Sequence, residues 1–230
     1  MNLIALETSS RLISVALWHD GEIIGRSHDH PNAGSELILP WVRELLAESA
    51  IALSALDGIA FGSGPGAFTG LRLACGVAQG LAFGCDLPVV GIGSLQALAL
   101  ASGEQRVYAC IDARMNEVYS AAYAMVDGQP VEMLAPSVTP PAAAPLPEGR
   151  DWAGCGDGFA AYELLLRERL GNHLGAVHPS IMPTAAAVAR LAAPRLARGE
   201  GVAAECAAPL YVRDKVAFTT AERLARGGAR

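Results

Sequence analysis

Carboxylates at the ends of two apolar runs are the residues here whose type and placement suit chemistry. Glu7 follows Leu3–Leu6, and Asp112 follows Arg106–Ile111. Each opens a polar turn, Glu7-Thr8-Ser9-Ser10-Arg11 and Asp112-Ala113-Arg114-Met115-Asn116. Carboxylates are the right ligands for a hard cation such as Mg²⁺. Neither turn carries the glycines that let a hairpin wrap a phosphate, so the favoured reading is of remnant, nucleic-acid-facing or partner-facing groups. His28-Asp29-His30 is the one local cluster with metal-like chemistry. Its histidines alternate at a strand end, which favours solvated side chains over ligands. No Ser/His/Asp arrangement and no H-E-x-x-H motif can be read, which argues against a peptidase. The expectation is a chain with no catalytic residue, metal or cofactor of its own.

The second candidate is the glycine-rich stretch Gly62-Ser63-Gly64-Pro65-Gly66, followed by Gly70. Gly62-x-Gly64-x-x-Ala67 lies between a strand and a helix, and Asp86 stands some way on, a loose dinucleotide fingerprint. Pro65 removes a backbone donor where a pyrophosphate wants one. The strand is not the first of its sheet, and no Lys-Ser/Thr follows. A shaped turn is the better reading. Gly154-Cys155-Gly156-Asp157-Gly158 is the one later candidate for a nucleotide-side loop.

The elements that must position these groups follow from periodicity and punctuation. Leu3–Leu6, Leu12–Trp18 and Glu22–Ser27 read as strands, with Asp20-Gly21 as a hairpin turn. A helix spans about Ser35–Ser49. Ile59–Phe61 is a buried strand, and a helix runs from Thr69 or Gly70 to about Phe83. Pro88–Ile92 is a strand, and Ser94 caps a helix to about Ala101. Then the pattern returns. Arg106–Ile111, Glu117–Val126 and Pro130–Leu134 are strands, with Asp127-Gly128 as the hairpin. Ser137–Gly149 is a Pro/Ala-rich loop. Trp152–Cys155 is a strand, Phe159–Leu170 a helix and Ala176–His178 a strand. Thr184 caps a helix to about Arg198 that Pro194 interrupts or ends. Pro209–Arg213 is extended, and Phe218–Arg230 is expected to fray. The repeat predicts two like-built α/β domains, residues 1–101 and 102–230, each with a mixed sheet begun by an antiparallel meander and flanked by helices.

Two helices are too apolar for a two-layer domain. In the first, Leu37 and Trp41 belong to an apolar arc covering more than half the circumference. In the second, Gly76, Gly80 and Gly84 form one stripe, flanked by Leu73, Val77 and Leu81. Only Arg72 and Gln79 are polar there. A sheet covers one side of a helix, so the remaining arc needs another protein. The glycine stripe suits a close helix crossing. The expected partner interface is Leu37, Trp41, Arg72, Leu73, Gly76, Val77, Gly80 and Phe83. Arg72 is poised to pair with a partner acid.

The chain is 52% hydrophobic and 17% charged, with net charge −6 and no basic patch, which argues against unaided nucleic-acid binding. The odd number of scattered cysteines, five, fits reduced thiols and a cytoplasmic location. No signal peptide is apparent.

GSGPGAFTGLR, IDARMNEVYSAAY and APLYVRDKVA, in that order, resemble the bacterial TsaB (YeaZ) family over nearly the whole chain. The resemblance implies a duplicated actin/sugar-kinase/Hsp70-like fold. It also implies a non-catalytic role in placing threonylcarbamoyl on the adenosine beside the anticodon, in tRNAs that read codons starting with A. The implied partners are TsaD, the metal- and nucleotide-binding catalytic paralogue, and TsaE, an ATPase. The resemblance further implies that tRNA is engaged through the complex and that the N-domain helices self-pair when TsaD is absent. TsaD-type relatives carry His-x-x-x-His after the meander; here Asn32–Leu37 has no histidine, and even the single His many TsaB members keep near Gly34 is missing. On this reading Glu7, Asp112, Arg114 and Arg213 are the cleft- or tRNA-facing candidates. A stand-alone small-molecule kinase or ATPase of the same fold is the alternative, with a peptidase behind it.

Overall fold

The computed structural model of the protein describes residues 1–29 and 34–213. The first half runs β1 (Asn2–Glu7), β2 (Leu12–His19), β3 (Glu22–Asp29), α1 (Gly34–Glu48), β4 (Gly58–Gly64), α2 (Phe68–Cys85), β5 (Val89–Gly93) and α3 (Ser94–Ser102). The second runs β6 (Arg106–Arg114), β7 (Glu117–Val126), β8 (Gln129–Thr139), β9 (Trp152–Cys155), α4 (Asp157–Leu170), β10 (Leu174–His178) and α5 (Ala185–Ala197). The strands form two five-stranded sheets, ordered β3-β2-β1-β4-β5 and β8-β7-β6-β9-β10. The two orders are the same, which is the duplication the repeated pattern predicts. In each sheet the meander is antiparallel and the fourth and fifth strands add in parallel. Leu3, for instance, sits opposite Trp18 on one side and Gly58 on the other.

Local chemistry explains the hairpins. Asp20-Gly21 takes φ of 48° and 96°, and Asp127-Gly128 takes 51° and 73°. A two-residue turn with both central residues left-handed matches the twist of the strands it joins, and Asp-Gly tolerates it best.

Alternating strand residues feed four separate cores. Ile4, Leu6, Val15 and Ile59 face α1 and α2, while Leu3, Ala5, Ala60 and Val90 face α5. Val107, Ala109 and Ile111 face α3, and Tyr108, Cys110 and Trp152 face α4. The molecule is therefore layered helix, sheet, helix, sheet, helix, with α3 and α5 packed together in the middle. α3, from the first half, covers the second sheet, and α5, from the second half, covers the first.

Several elements depart from the sequence expectation. α2 begins at Phe68 with Ala67 as its uncapped N-cap, ahead of Thr69. Ser94 is the first residue of α3, after Gly93, and its hydroxyl goes to Glu7 instead of capping the helix. α5 keeps its expected cap at Thr184 and ends at Ala197, close to the expected Arg198, but Pro194 neither interrupts nor ends it. β8 continues past its expected end at Leu134, through Pro136 to Thr139; it is an edge strand, where a proline costs no ladder bond. The counterpart of α1 is reduced to a single 3-10 turn, Pro141–Ala143. The expected fraying of Phe218–Arg230 lies outside the described residues. Among those residues, no helix is long and apolar enough to cross a membrane.

Candidate functional site

Glu7 ends β1 and is fully buried, at 0% exposure. It does not reach the cleft between the domains. Its Oε1 accepts from the Ser9 backbone N–H at 2.6 Å, and its Oε2 from the Ser94 hydroxyl at 3.2 Å. Burial pushes its pKa up, and the hydrogen bonds from Ser9, Ser94 and Thr8 pull the other way. The carboxylate joins the end of the first sheet to the start of α3, the helix that covers the second.

The glycine-rich turn is built around this hairpin. A Cβ on Gly62 would stand 2.0 Å from Glu7 Oε2, one on Gly66 2.4 Å from the Ser9 carbonyl oxygen, and one on Gly70 1.9 Å from the Thr8 carbonyl oxygen. The Ala67 N–H donates to the Ser9 carbonyl at 2.7 Å. These glycines admit the chain's own Glu7–Ser9 segment, and the space a phosphate would use in a cradle is filled by protein. The later glycines behave alike: a Cβ on Gly156 would stand 2.2 Å from the Cys110 carbonyl oxygen, and one on Gly158 2.5 Å from Cys110 Sγ.

The cleft itself encloses a volume of about 330 Å³. Ser10, Arg11 and Phe68 line it from the first domain, and Asp112, Arg114 and Asp157 from the second. Asp112 Oδ1 accepts from the Arg114 backbone N–H at 2.8 Å, and Asp112 Oδ2 from Arg114 Nη1 at 3.0 Å. Arg114 is nonetheless 86% exposed, so this pair is a weak surface bridge. The Asp112 backbone N–H donates to Asp157 Oδ1 at 3.0 Å. Burial holds the Asp157 carboxyl above the usual carboxylate range, the Asp112 N–H opposes this, and the charge of Asp112 adds to it. Sequence reasoning missed Asp157 as a cleft residue. The available signal was its place after a strand and a glycine, at the start of a helix, matching the Gly62–Phe68 turn of the first half.

Arg213 also lines the cleft, but both of its terminal nitrogens are already engaged. Nη2 donates to the Ala113 carbonyl at 3.1 Å and to Glu117 Oε2, and Nη1 approaches Met115 Sδ at 3.5 Å. Its guanidinium lies 5.9 Å from the Tyr119 ring centre, and the side chain is only 13% exposed.

A second surface lies on the far side of the first domain. Gly76, Gly80 and Gly84 face open space: a Cβ on any of them would meet nothing within 4 Å. Phe83, beside them, is 80% exposed. Leu73 and Val77 are half-buried, as are Leu37 and Trp41 on α1. Leu39 is 52% exposed and was not among the expected interface residues. It shares a shallow groove with Arg72, Leu73, Gly76, Val77 and Gly80. The pattern of burial explains the two faces of α2: Leu71, Ala74, Ala78 and Ala82 are buried under the sheet, and the glycine stripe is turned away from it.

Among the described residues no group of three His, Cys, Asp or Glu side chains is placed to hold a metal ion. His28 lies on β3, and His30 falls outside the described residues.

Residues 29–220 match the family described as TsaD, tRNA N6-adenosine threonylcarbamoyltransferase. The chain is 35% identical over 231 residues to the tRNA threonylcarbamoyladenosine biosynthesis protein TsaB of Escherichia coli, covering 95% of this chain and 97% of that one. It is 48% identical over 123 residues to the TsaB protein of Haemophilus influenzae, about half of each chain at 52%. The solved structure of YeaZ from Pseudomonas aeruginosa is similar at 42% identity with a TM-score of 0.85, covering 91% of this chain and 99% of that one. The similarities to the Escherichia coli and Pseudomonas aeruginosa proteins, which span nearly the whole of both chains, settle the family: the chain belongs to the TsaB (YeaZ) family.

Proposed function

We propose that this chain serves tRNA threonylcarbamoyladenosine synthesis as a non-catalytic scaffold subunit, working with TsaD and TsaE in the cytoplasm. The names of its relatives supply the pathway. The observation that carries the scaffold role is the contrast between its two glycine sets. Gly62, Gly66 and Gly70, where a phosphate loop would be, are occupied by the chain's own backbone and Glu7. Gly76, Gly80 and Gly84 are left open beside an exposed Phe83.

The open face is the proposed partner surface, built from Leu37, Trp41, Arg72, Leu73, Gly76, Val77, Gly80 and Phe83, with Leu39 added. A glycine stripe lets a partner helix approach closely, and the flanking Leu73 and Val77 supply apolar area. TsaD is the proposed occupant, and a second copy of this chain takes the same face when TsaD is absent. In the cleft, Asp112 and Arg114 are the proposed tRNA-facing groups; Glu7 is buried away from it. A stand-alone kinase needs a free glycine cradle, and the filled turn argues against it.

Reconstitution tests the reading. With TsaD, TsaE, tRNA and threonylcarbamoyl-adenylate supplied, modified adenosine should form, and omission of this chain should abolish it. Modified tRNA produced by this chain without TsaD would overturn the scaffold role.

A further inference from the structure

The last described stretch of the chain crosses from one domain to the other. Val202 bridges Val89 on the edge of the first sheet. The Ala207 carbonyl accepts from Gln79 Nε2 at 3.0 Å and from Cys75 Sγ at 3.5 Å, both on α2. The Leu210 N–H donates to the Ser63 carbonyl at 2.7 Å. The Tyr211 hydroxyl accepts from Arg72 Nε at 3.2 Å, and the Tyr211 ring lies 6.0 Å from that of Phe68, over which Arg72 is stacked at 3.8 Å. Two residues on, Arg213 is on the other domain, bound to Ala113, Met115 and Glu117.

What Arg213 grips is unusual. Arg114, Met115 and Asn116 are consecutive non-glycine residues in the left-handed region, at φ of 59°, 57° and 59°. Such a run is costly and persists only where its surroundings hold it. Arg213 contacts the residue before the run, a residue inside it and the residue after it. A long Arg with little exposure supplies several fixed donors at once.

We propose that residues 207–213 form a strap that couples the α2 face to the left-handed turn 114–116, with Arg72 and Arg213 as its two anchors. The strap has no regular secondary structure, and Leu210 makes its one backbone–backbone bond to the first sheet, so side chains fix its position. Arg72 also lines the groove on the α1–α2 face. An acidic group that engages Arg72 there shares the guanidinium with the Tyr211 hydroxyl, which takes Nε, and so shifts the geometry of that contact. The state of the turn at the cleft and the state of that groove then belong to one equilibrium, and each biases the other. This last consequence rests on the docking face proposed above; the coupling within the chain does not.

Amide hydrogen exchange on the full chain, with no partner present, tests the coupling. Arg72→Ala should speed exchange at the Leu210 amide and at amides 112–117 by about tenfold, the scale of one lost charge-assisted hydrogen bond. Tyr211→Phe, which removes only the hydroxyl, should do the same to a smaller degree. Arg213→Gln should speed exchange reciprocally at Leu210. Amides of β1 serve as the internal check that each variant is folded. Acceleration confined to residues 68–72 in Arg72→Ala and Tyr211→Phe, with 112–117 at the wild-type rate, would overturn the proposal. A loss of TsaD binding without that pattern would bear on the docking face alone.

Discussion

The Thr8 carbonyl oxygen stands 1.9 Å from the point a Cβ on Gly70 would occupy. The Thr8 hydroxyl also donates to the Gly70 carbonyl at 2.6 Å, so the first turn of α2 and the β1–β2 turn are held face to face. Backbone lies on both sides of this contact, and neither side has a flexible end that can yield. Gly70→Ala should therefore destabilise the fold by about 3 kcal/mol, the upper range for overpacking. Chemical denaturation of the purified variant measures it, and an unchanged midpoint would show that α2 can move off the turn.

Further along the same helix the opposite outcome is expected. Gly80 meets nothing within 4 Å, so an added side chain enters solvent. Gly80→Ala should raise stability by about 0.5–1 kcal/mol through helix propensity alone. Gly80→Leu should likewise keep or slightly raise the melting temperature, since Leu is nearly as good a helix former as Ala, while abolishing TsaD binding and self-association. A strongly destabilised Gly80→Leu protein that still binds TsaD would refute the docking face.

Glu7 makes a pH prediction. Its pKa in the folded protein is raised by burial. A carboxyl whose folded pKa lies above its unfolded value holds its proton longer in the folded state. Its contribution is most favourable below the unfolded pKa and declines as pH rises towards the folded one. Above that pH the folded state carries a buried charge. Glu7→Gln keeps the shape and the acceptor for Ser9 but cannot ionise. Wild type should thus lose more stability than Glu7→Gln between acid and neutral pH. Parallel stability curves for the two proteins would show that the hydrogen bonds from Ser9, Ser94 and Thr8 fully offset the desolvation.

Much of the fold is written locally. The Asp-Gly hairpins, the strand cores and the helix over 35–49 depend on neighbours in sequence, and each lies close to where the pattern puts it. The exchange of α3 and α5 between sheets is not local. Ala97, Leu98, Val188 and Leu191 announce a buried face and say nothing about which sheet covers it. Glu7 was misleading for a similar reason. An acid after a strand reads as a group poised over a cleft, and only the third dimension reveals Gly62 and Ser94 enclosing it. The glycines were ambiguous in sequence because a cradle for phosphate and a recess for backbone need the same missing Cβ. The open stripe was legible because its period, four, is the repeat of a helix face. Arg213 was legible as a cation worth naming. Its partners, Ala113, Met115 and Glu117, lie about a hundred residues away in sequence, and no local pattern joins them.

The cysteines separate burial from reactivity. All five are free thiols. Cys110 is fully enclosed, and burial together with Asp157 and Asp112 pushes its pKa far up; burial raises that of Cys155 to about 11. A thiolate is the reactive form, so both should be inert at neutral pH even to small reagents. Cys75 is buried under the strap, with its Sγ on the Ala207 carbonyl, and its pKa is also raised by burial. Cys206, one residue before Ala207, is exposed. A thiol-specific reagent at mildly alkaline pH should therefore label Cys206 quickly, Cys85 more slowly, and Cys75, Cys110 and Cys155 only after denaturation. Mass spectrometry of the labelled peptides reads the order. Early modification of Cys110 would mean that the α4 layer opens from the second sheet far more readily than its packing allows.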